Sequence, residues 1–200
     1  MKTMFLSMIA AYLCGNVYIF VRALQTLSAW SWVWKVLFSL GYWAAALALV
    51  LSIFVLRHVE MPESLSQGLF TIGSVWLVFT LYMVLSLLAT DLARLFILAI
   101  KPYGFSISLG VVVCLLTYGY FNYKHPDINR IDITLDKPLP GKPMKVVAIS
   151  DVHLGNGTRK PQLKKFVEMI NAQEPDLIVI GGDLIDNSLI PLYQQKMAEE

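Results

Sequence analysis

The chain has 200 residues, a formal net charge of +2, two cysteines, 56% hydrophobic residues and 15% charged residues. Soluble domains run at roughly 45–50% apolar and about 25% charged, so an ordinary soluble fold is excluded and a membrane segment is indicated. The balanced charge, with no basic stripe, gives no reason to expect nucleic acid as a partner.

The excess of apolar residues is localised. Residues 1–121 hold six Lys/Arg and three Asp/Glu, whereas residues 122–200 hold ten and eleven. Four apolar runs in the first part, Met4–Val21, Val36–Leu56, Gly68–Thr90 and Tyr103–Tyr123, have about the 20 residues that a bilayer crossing needs. The first carries Asn16, which lipid tolerates when it faces another helix. Lys2 is a thin positive start and no small-residue cleavage site follows, so this run reads as a retained helix and not as a cleaved signal peptide. Cys14 and Cys114 lie inside apolar runs, which argues against a disulfide framework or a zinc cluster and for two buried membrane thiols.

The stretch WSWVWK, Trp30 to Lys35, reads as an aromatic belt at a bilayer interface, with a ligand cage as the sharper alternative. Asp91 and Arg94 stand three apart near the end of the third run and can pair on one helical face. A small transporter is disfavoured, because the runs lack mid-membrane charge and paired broken helices. With both termini inside, four Lys/Arg (Lys2, Arg57, Lys124, Arg130) face inward and four (Arg22, Lys35, Arg94, Lys101) face outward. The positive-inside rule therefore leaves the side of the second part undetermined.

A linker, residues 124–144, follows. Its alternation of Ile131, Ile133 and Leu135 with Asp132, Thr134 and Asp136 predicts a half-buried edge strand, broken by Pro138, Pro140, Gly141 and Pro143. Next, KVVAIS is a continuous apolar run of the kind buried on both faces of a sheet. A turn at GNGT leads to a helix with Pro161 in its first turn. Leu163, Phe166, Val167 and Ile170 make the apolar stripe of that helix, and Lys160, Lys164, Lys165 and Glu168 make its solvated face. The run LIVIGGD is a second apolar strand, so the unit is β-α-β with parallel strands.

Asp151 follows the first strand and Asp183 the second. In a parallel pair both carboxyl ends point the same way, and adjacent strands lie about 4.8 Å apart. The two carboxylates can therefore converge, and His153 can turn an imidazole toward them. Two bare carboxylates at such range repel, and a divalent cation resolves the conflict. The mixed oxygen and nitrogen donors suit Mn, Fe or Zn better than calcium. Gly181 and Gly182 predict close approach of backbone and substrate before Asp183. The bland alternative makes both aspartates turn or cap residues.

SDVHLG followed by DLIVIGGDLID resembles the first two metal-binding blocks of the calcineurin-like metallophosphoesterases, and the four-helix front end resembles their membrane-anchored bacterial branch. The resemblance covers residues 129–200. It implies an α plus α/β chain: a four-helix transmembrane domain over residues 1–123, then the first half of a metallophosphoesterase α/β sandwich over residues 145–200, incomplete. It implies two divalent metal ions in the complete domain, with Asp151 and His153 on one metal and Asp183 bridging both. The expected function is hydrolysis of phosphoester or pyrophosphate bonds by a multi-pass protein of the cell (inner) membrane. A lipid-linked substrate fits the anchor, and soluble phosphodiesters stay open. The family's later Gly-Asn-His and Gly-His-X-His blocks are missing from these 200 residues, so the chain is expected to be a fragment or a truncated product, inactive alone. The alternative is a non-catalytic membrane scaffold or interaction protein with a degenerate phosphoesterase domain.

Overall fold

The computed structural model describes residues 2–55, 62–134, 136, 143–186 and 189–199. The chain divides into two compact units, Met1–Val59 with Ile72–Ile128, and Glu60–Thr71 with Asn129–Glu200.

The first unit is built on helices α1 (Lys2–Thr26) and α2 (Trp32–Val55), the part of α3 (Glu63–Ala93) from Ile72 onward, and α4 (Gly104–Lys124), with a 3-10 turn at Leu98–Ile100 before α4. The shortest has 21 residues, which at 1.5 Å per residue reaches about 31 Å, a bilayer's hydrocarbon thickness. All four are long and apolar enough to cross a membrane. Their outward side chains are the apolar ones: Leu6, Leu40, Leu81, Leu85 and Leu88 are exposed, as are Cys14 and Cys114. Such a surface is untenable in water and normal in lipid, so this is a membrane protein. The thiols lie on the outer face of the bundle instead of between helices.

The interior of the unit is small and polar at its centre. Ile19, Tyr42, Ala46, Met83, Leu87 and Val112 form the buried cluster, with Phe20, Phe38, Trp43 and Trp76 packed against it. Asn16, 0% exposed, sits beside them. Its Oδ1 accepts from Trp76 Nε1 at 2.8 Å, Tyr42 Oη at 3.1 Å and Thr80 Oγ1 at 3.4 Å. Its Nδ2 donates to the Tyr12 carbonyl at 2.9 Å. The polar residue expected to face another helix thus ties α1 to both α2 and α3. Gly73 of α3 is packed so closely that a Cβ there would lie 2.6 Å from Leu49 Cα of α2. Helices without a hydrophobic driving force between them associate through such small-residue contacts.

Asp91 and Arg94 pair at 3.3 Å, as their spacing predicts. Two residues of α1 join them: Arg22 Nη2 reaches Asp91 Oδ1 at 2.7 Å, and Tyr18 Oη donates to Asp91 Oδ2 at 2.6 Å. Trp30, Trp32 and Trp34, where α1 gives way to α2, are exposed, in keeping with a belt.

In the second unit, β1 (Val146–Ser150) and β2 (Leu177–Gly181) pair in parallel, with Val146 opposite Leu177 and Ser150 opposite Gly181. Helix α5 (Lys160–Asn171) connects them, and α6 (Ile190–Gln194) and a 3-10 turn (Met197–Glu199) follow. The start of the pair is clamped by Asp176: its Oδ2 accepts from the Lys145 N–H, and its own N–H donates to the Lys145 carbonyl, both at 2.8 Å. On α5 the side chains of Leu163, Phe166, Val167 and Ile170 are half-buried, and Lys164, Lys165 and Glu168 are exposed. Lys160 departs from the solvated face, since its Nζ donates to the Lys196 carbonyl at 3.1 Å.

Two expectations fail here. The strands are not buried on both faces, and every residue of β2 is exposed. Two strands and one crossover helix cannot cover both sides of a parallel sheet. Nor do residues 131–134 form a strand; Ile131 and Ile133 are 80% and 79% exposed, and Leu135 and most of the turn beyond it lie outside the described residues. Alternation assigns a strand its two faces but supplies no partner to pair with.

Candidate metal centre

The parallel pairing does not stop where the strands stop. The Asp151 N–H donates to the Gly181 carbonyl at 3.1 Å, the His153 N–H to the Asp183 carbonyl at 3.0 Å, and the Leu154 N–H to the Leu184 carbonyl at 2.9 Å. The Asp186 N–H closes the series on the Leu154 carbonyl at 3.0 Å. The two loops leaving the carboxyl ends are therefore zipped together over several residues. Asp151, His153 and Asp183 are held at this seam, and all three are exposed.

The zipper demands unusual backbone. Asp151 has φ 52°, His153 φ 48° and Gly182 φ 67°, all left-handed. For an L-residue other than glycine that region costs about 1–2 kcal/mol, although Asp and His tolerate it better than most. Such conformations persist only where the surroundings over-determine them, and they gather at functional sites.

Side-chain packing supports the same reading. Asp151 Oδ1 accepts from the Asp183 N–H at 3.2 Å, which turns the first carboxylate over the second loop. At Gly182 a Cβ would overlap that oxygen and stand 2.8 Å from Asp151 Cγ. At Gly181 the nearest atom to a Cβ is the Ile149 carbonyl oxygen at 4.0 Å, so the close approach expected of both glycines falls on Gly182 alone.

Sequence reading missed two residues. Gly155 is buried, and a Cβ there would meet Asp186 Cβ at 3.2 Å. Asp186, three positions beyond Asp183, thus packs on the turn that follows His153. Leu154 and Thr158, 8% and 9% exposed, bridge across that turn and anchor it.

Among the described residues, no three His, Cys, Asp or Glu side chains converge closely enough to hold a metal ion. What the structure joins is the backbone bearing them. Two carboxylates and an imidazole on one zipped seam are a donor set suited to Mn, Fe or Zn, so the residues fit part of such a centre.

A parallel β-α-β unit with acidic and imidazole side chains at its strand ends follows the membrane-length helices in the chain. Residues 144–200 match the family model for calcineurin-like phosphoesterases. The chain is 30% identical over 187 residues to an uncharacterized metallophosphoesterase of Campylobacter jejuni, covering 87% of this chain and 48% of that protein. It is 32% identical over 92 residues to a bovine transmembrane protein with metallophosphoesterase domain, covering 45% of this chain and 20% of the relative. A third relative, the UDP-2,3-diacylglucosamine pyrophosphatase LpxG of Chlamydia muridarum, is 33% identical over 89 residues, covering 41% of this chain and 27% of that protein. The chain spans about half the length of the first of these and less of the others. No solved structure matches it. Residues 144–200 thus match the calcineurin-like phosphoesterase family model, and helices of membrane-crossing length precede them in the chain.

Proposed function

We propose that this chain supplies the membrane anchor and the first metal ligands of a phosphoesterase of the cell (inner) membrane. The observation that carries the reading is the zipped seam, which sets Asp151 and His153 on one loop against Asp183 on the next. Asp151, His153 and Asp183 would be the residues of this chain that hold the divalent ions. An ion of the Mn, Fe or Zn type would supply charge neutralisation for a phosphoryl group and a lowered pKa for water. The chain's own part is positional. The Asp183 N–H orients the Asp151 carboxylate, and Gly182 leaves the room that this orientation needs.

The substrate class is a phosphoester or pyrophosphate. The membrane front end favours a lipid-linked substrate, and so does the Chlamydia muridarum relative named as a UDP-2,3-diacylglucosamine pyrophosphatase. The test is hydrolysis of a chromogenic phosphodiester by the full-length gene product with added Mn²⁺. Asp183→Asn should lower the rate at least about 100-fold, the upper end of what losing even an outer-shell partner costs a metal site. A rate unchanged by that substitution would sink the proposal and favour a non-catalytic membrane scaffold.

A further inference from the structure

The end of the bundle where α1 and α3 finish and α2 and α4 begin has a charge that the phosphoesterase reading does not use. It carries Arg22, Lys35, Arg94 and Lys101 against a single acid, Asp91, an excess of three positive charges. The opposite ends of the same helices, by sequence, carry Lys2, Arg57 and Lys124 against Glu60, Glu63 and Asp127, which balance. Asp91 is fully engaged, accepting from Tyr18 and from both arginines. Arg22 is satisfied in part: Nη1 donates to Gln25 Oε1 at 3.2 Å and Nη2 to Asp91, while Nε is buried with no partner among the described residues. Arg94 has Asp91 as its partner at 3.3 Å, and its side chain is 36% exposed. One carboxylate shared by two guanidinium groups leaves a local surplus of positive charge with spare donors.

The setting fixes the depth of this surplus. Directly after Arg94 come Leu95, Phe96, Ile97 and Leu98, all exposed, with Phe96 at 83%. Trp32, Trp34 and Tyr103 are exposed at the same end. An apolar and aromatic rim of this kind sits at the headgroup level of a bilayer. Guanidinium forks at that level match a phosphodiester in shape as well as charge. We infer that this end of the bundle binds the phosphate of an anionic lipid headgroup, with Arg94 as the direct donor. Arg22, Lys35 and Lys101 supply the surrounding positive field, and Asp91 orients the two guanidinium groups.

The inference is independent of the metal centre and is tested apart from it. The full-length membrane protein in maltoside micelles is offered phosphatidylglycerol, phosphatidylcholine or glycerol 1-phosphate, and retained ligand is counted by native mass spectrometry. Phosphatidylglycerol should be retained over phosphatidylcholine, and Arg94→Gln and Lys101→Gln should each lower its retention about fivefold, the worth of one cation at a membrane surface. Lys101 is exposed and outside the ion-pair cluster, so its variant keeps the test readable if Arg94→Gln folds poorly. Lys124→Gln, at the other end of α4, and Asp183→Asn should leave retention unchanged. Equal retention of the two lipids, or retention indifferent to both Arg94→Gln and Lys101→Gln, would overturn the inference. Displacement of the lipid by glycerol 1-phosphate at equal concentration would overturn it in favour of a soluble phosphate site.

Discussion

The Asp183 N–H donates to Asp151 Oδ1 at 3.2 Å, across 32 residues of chain. One candidate ligand thereby holds the other in place through its backbone, leaving its own carboxylate free. The arrangement depends on the residue between β2 and Asp183 having no side chain.

Gly182→Ala should therefore damage the site although it adds one methyl group. The new Cβ collides with the Asp151 carboxylate, and φ 67° is strained for alanine. A cost of about 1–3 kcal/mol is expected, with weakened Mn²⁺ binding in a calorimetric titration of the full-length protein. Gly181→Ala, with its neighbour 4.0 Å away, should bind Mn²⁺ almost as the parent does. Equal effects at the two glycines would contradict this geometry.

Asn16→Leu tests the polar hub of the bundle. Tyr42 Oη keeps the Asn16 carbonyl as acceptor, and Thr80 Oγ1 keeps the Trp76 carbonyl, but the Trp76 indole N–H loses its acceptor. Unfolding in detergent should show a loss of about 1–2 kcal/mol. In a Trp76→Phe background, with no N–H left to orphan, the same substitution should cost distinctly less.

Gly73→Ala should force α2 and α3 apart, because the new Cβ would stand 2.6 Å and 2.7 Å from backbone atoms of Leu49. Overpacking of this kind costs about 1–3 kcal/mol. Gly41→Ala and Gly68→Ala meet nothing within 4 Å and serve as controls, read by the same detergent unfolding. Helix propensity alone favours alanine at all three positions, so a destabilisation shared by all three would contradict the packing account.

The four helices were legible because membrane-length apolar runs speak for themselves, although their ends were not. Helix α2 begins at Trp32, inside the belt, and α3 reaches back to Glu63, since helical geometry does not stop where hydrocarbon does. The Asp91–Arg94 pair was readable from its spacing of three. Arg22 was not, because it lies 69 residues away and periodicity speaks only within one helix. That the loops bearing Asp151, His153 and Asp183 lie side by side was legible, because strand polarity alone brings adjacent carboxyl ends together. The left-handed backbone at Asp151 and His153 was not, since neither residue type announces it. The strand at Ile131 and Ile133 was misread because alternation without a neighbouring strand is only a pattern.

Chelation offers a check on the seam as a whole. Removing divalent metal with EDTA should abolish hydrolysis by the full-length protein and leave the bundle intact, because its buried cluster, its Asn16 hub and its Arg22–Asp91 ion pair are formed within the helices themselves. Restored activity on adding Mn²⁺ is the expected outcome, and hydrolysis that persists in EDTA would count against metal dependence.

The most direct test is the metal content of the full-length protein after dialysis, measured by inductively coupled plasma mass spectrometry for the parent and for Asp151→Asn and Asp183→Asn. The account predicts about two divalent ions per chain in the parent, as a two-metal site requires, and a clear fall in both variants. The same metal content in all three proteins would contradict it.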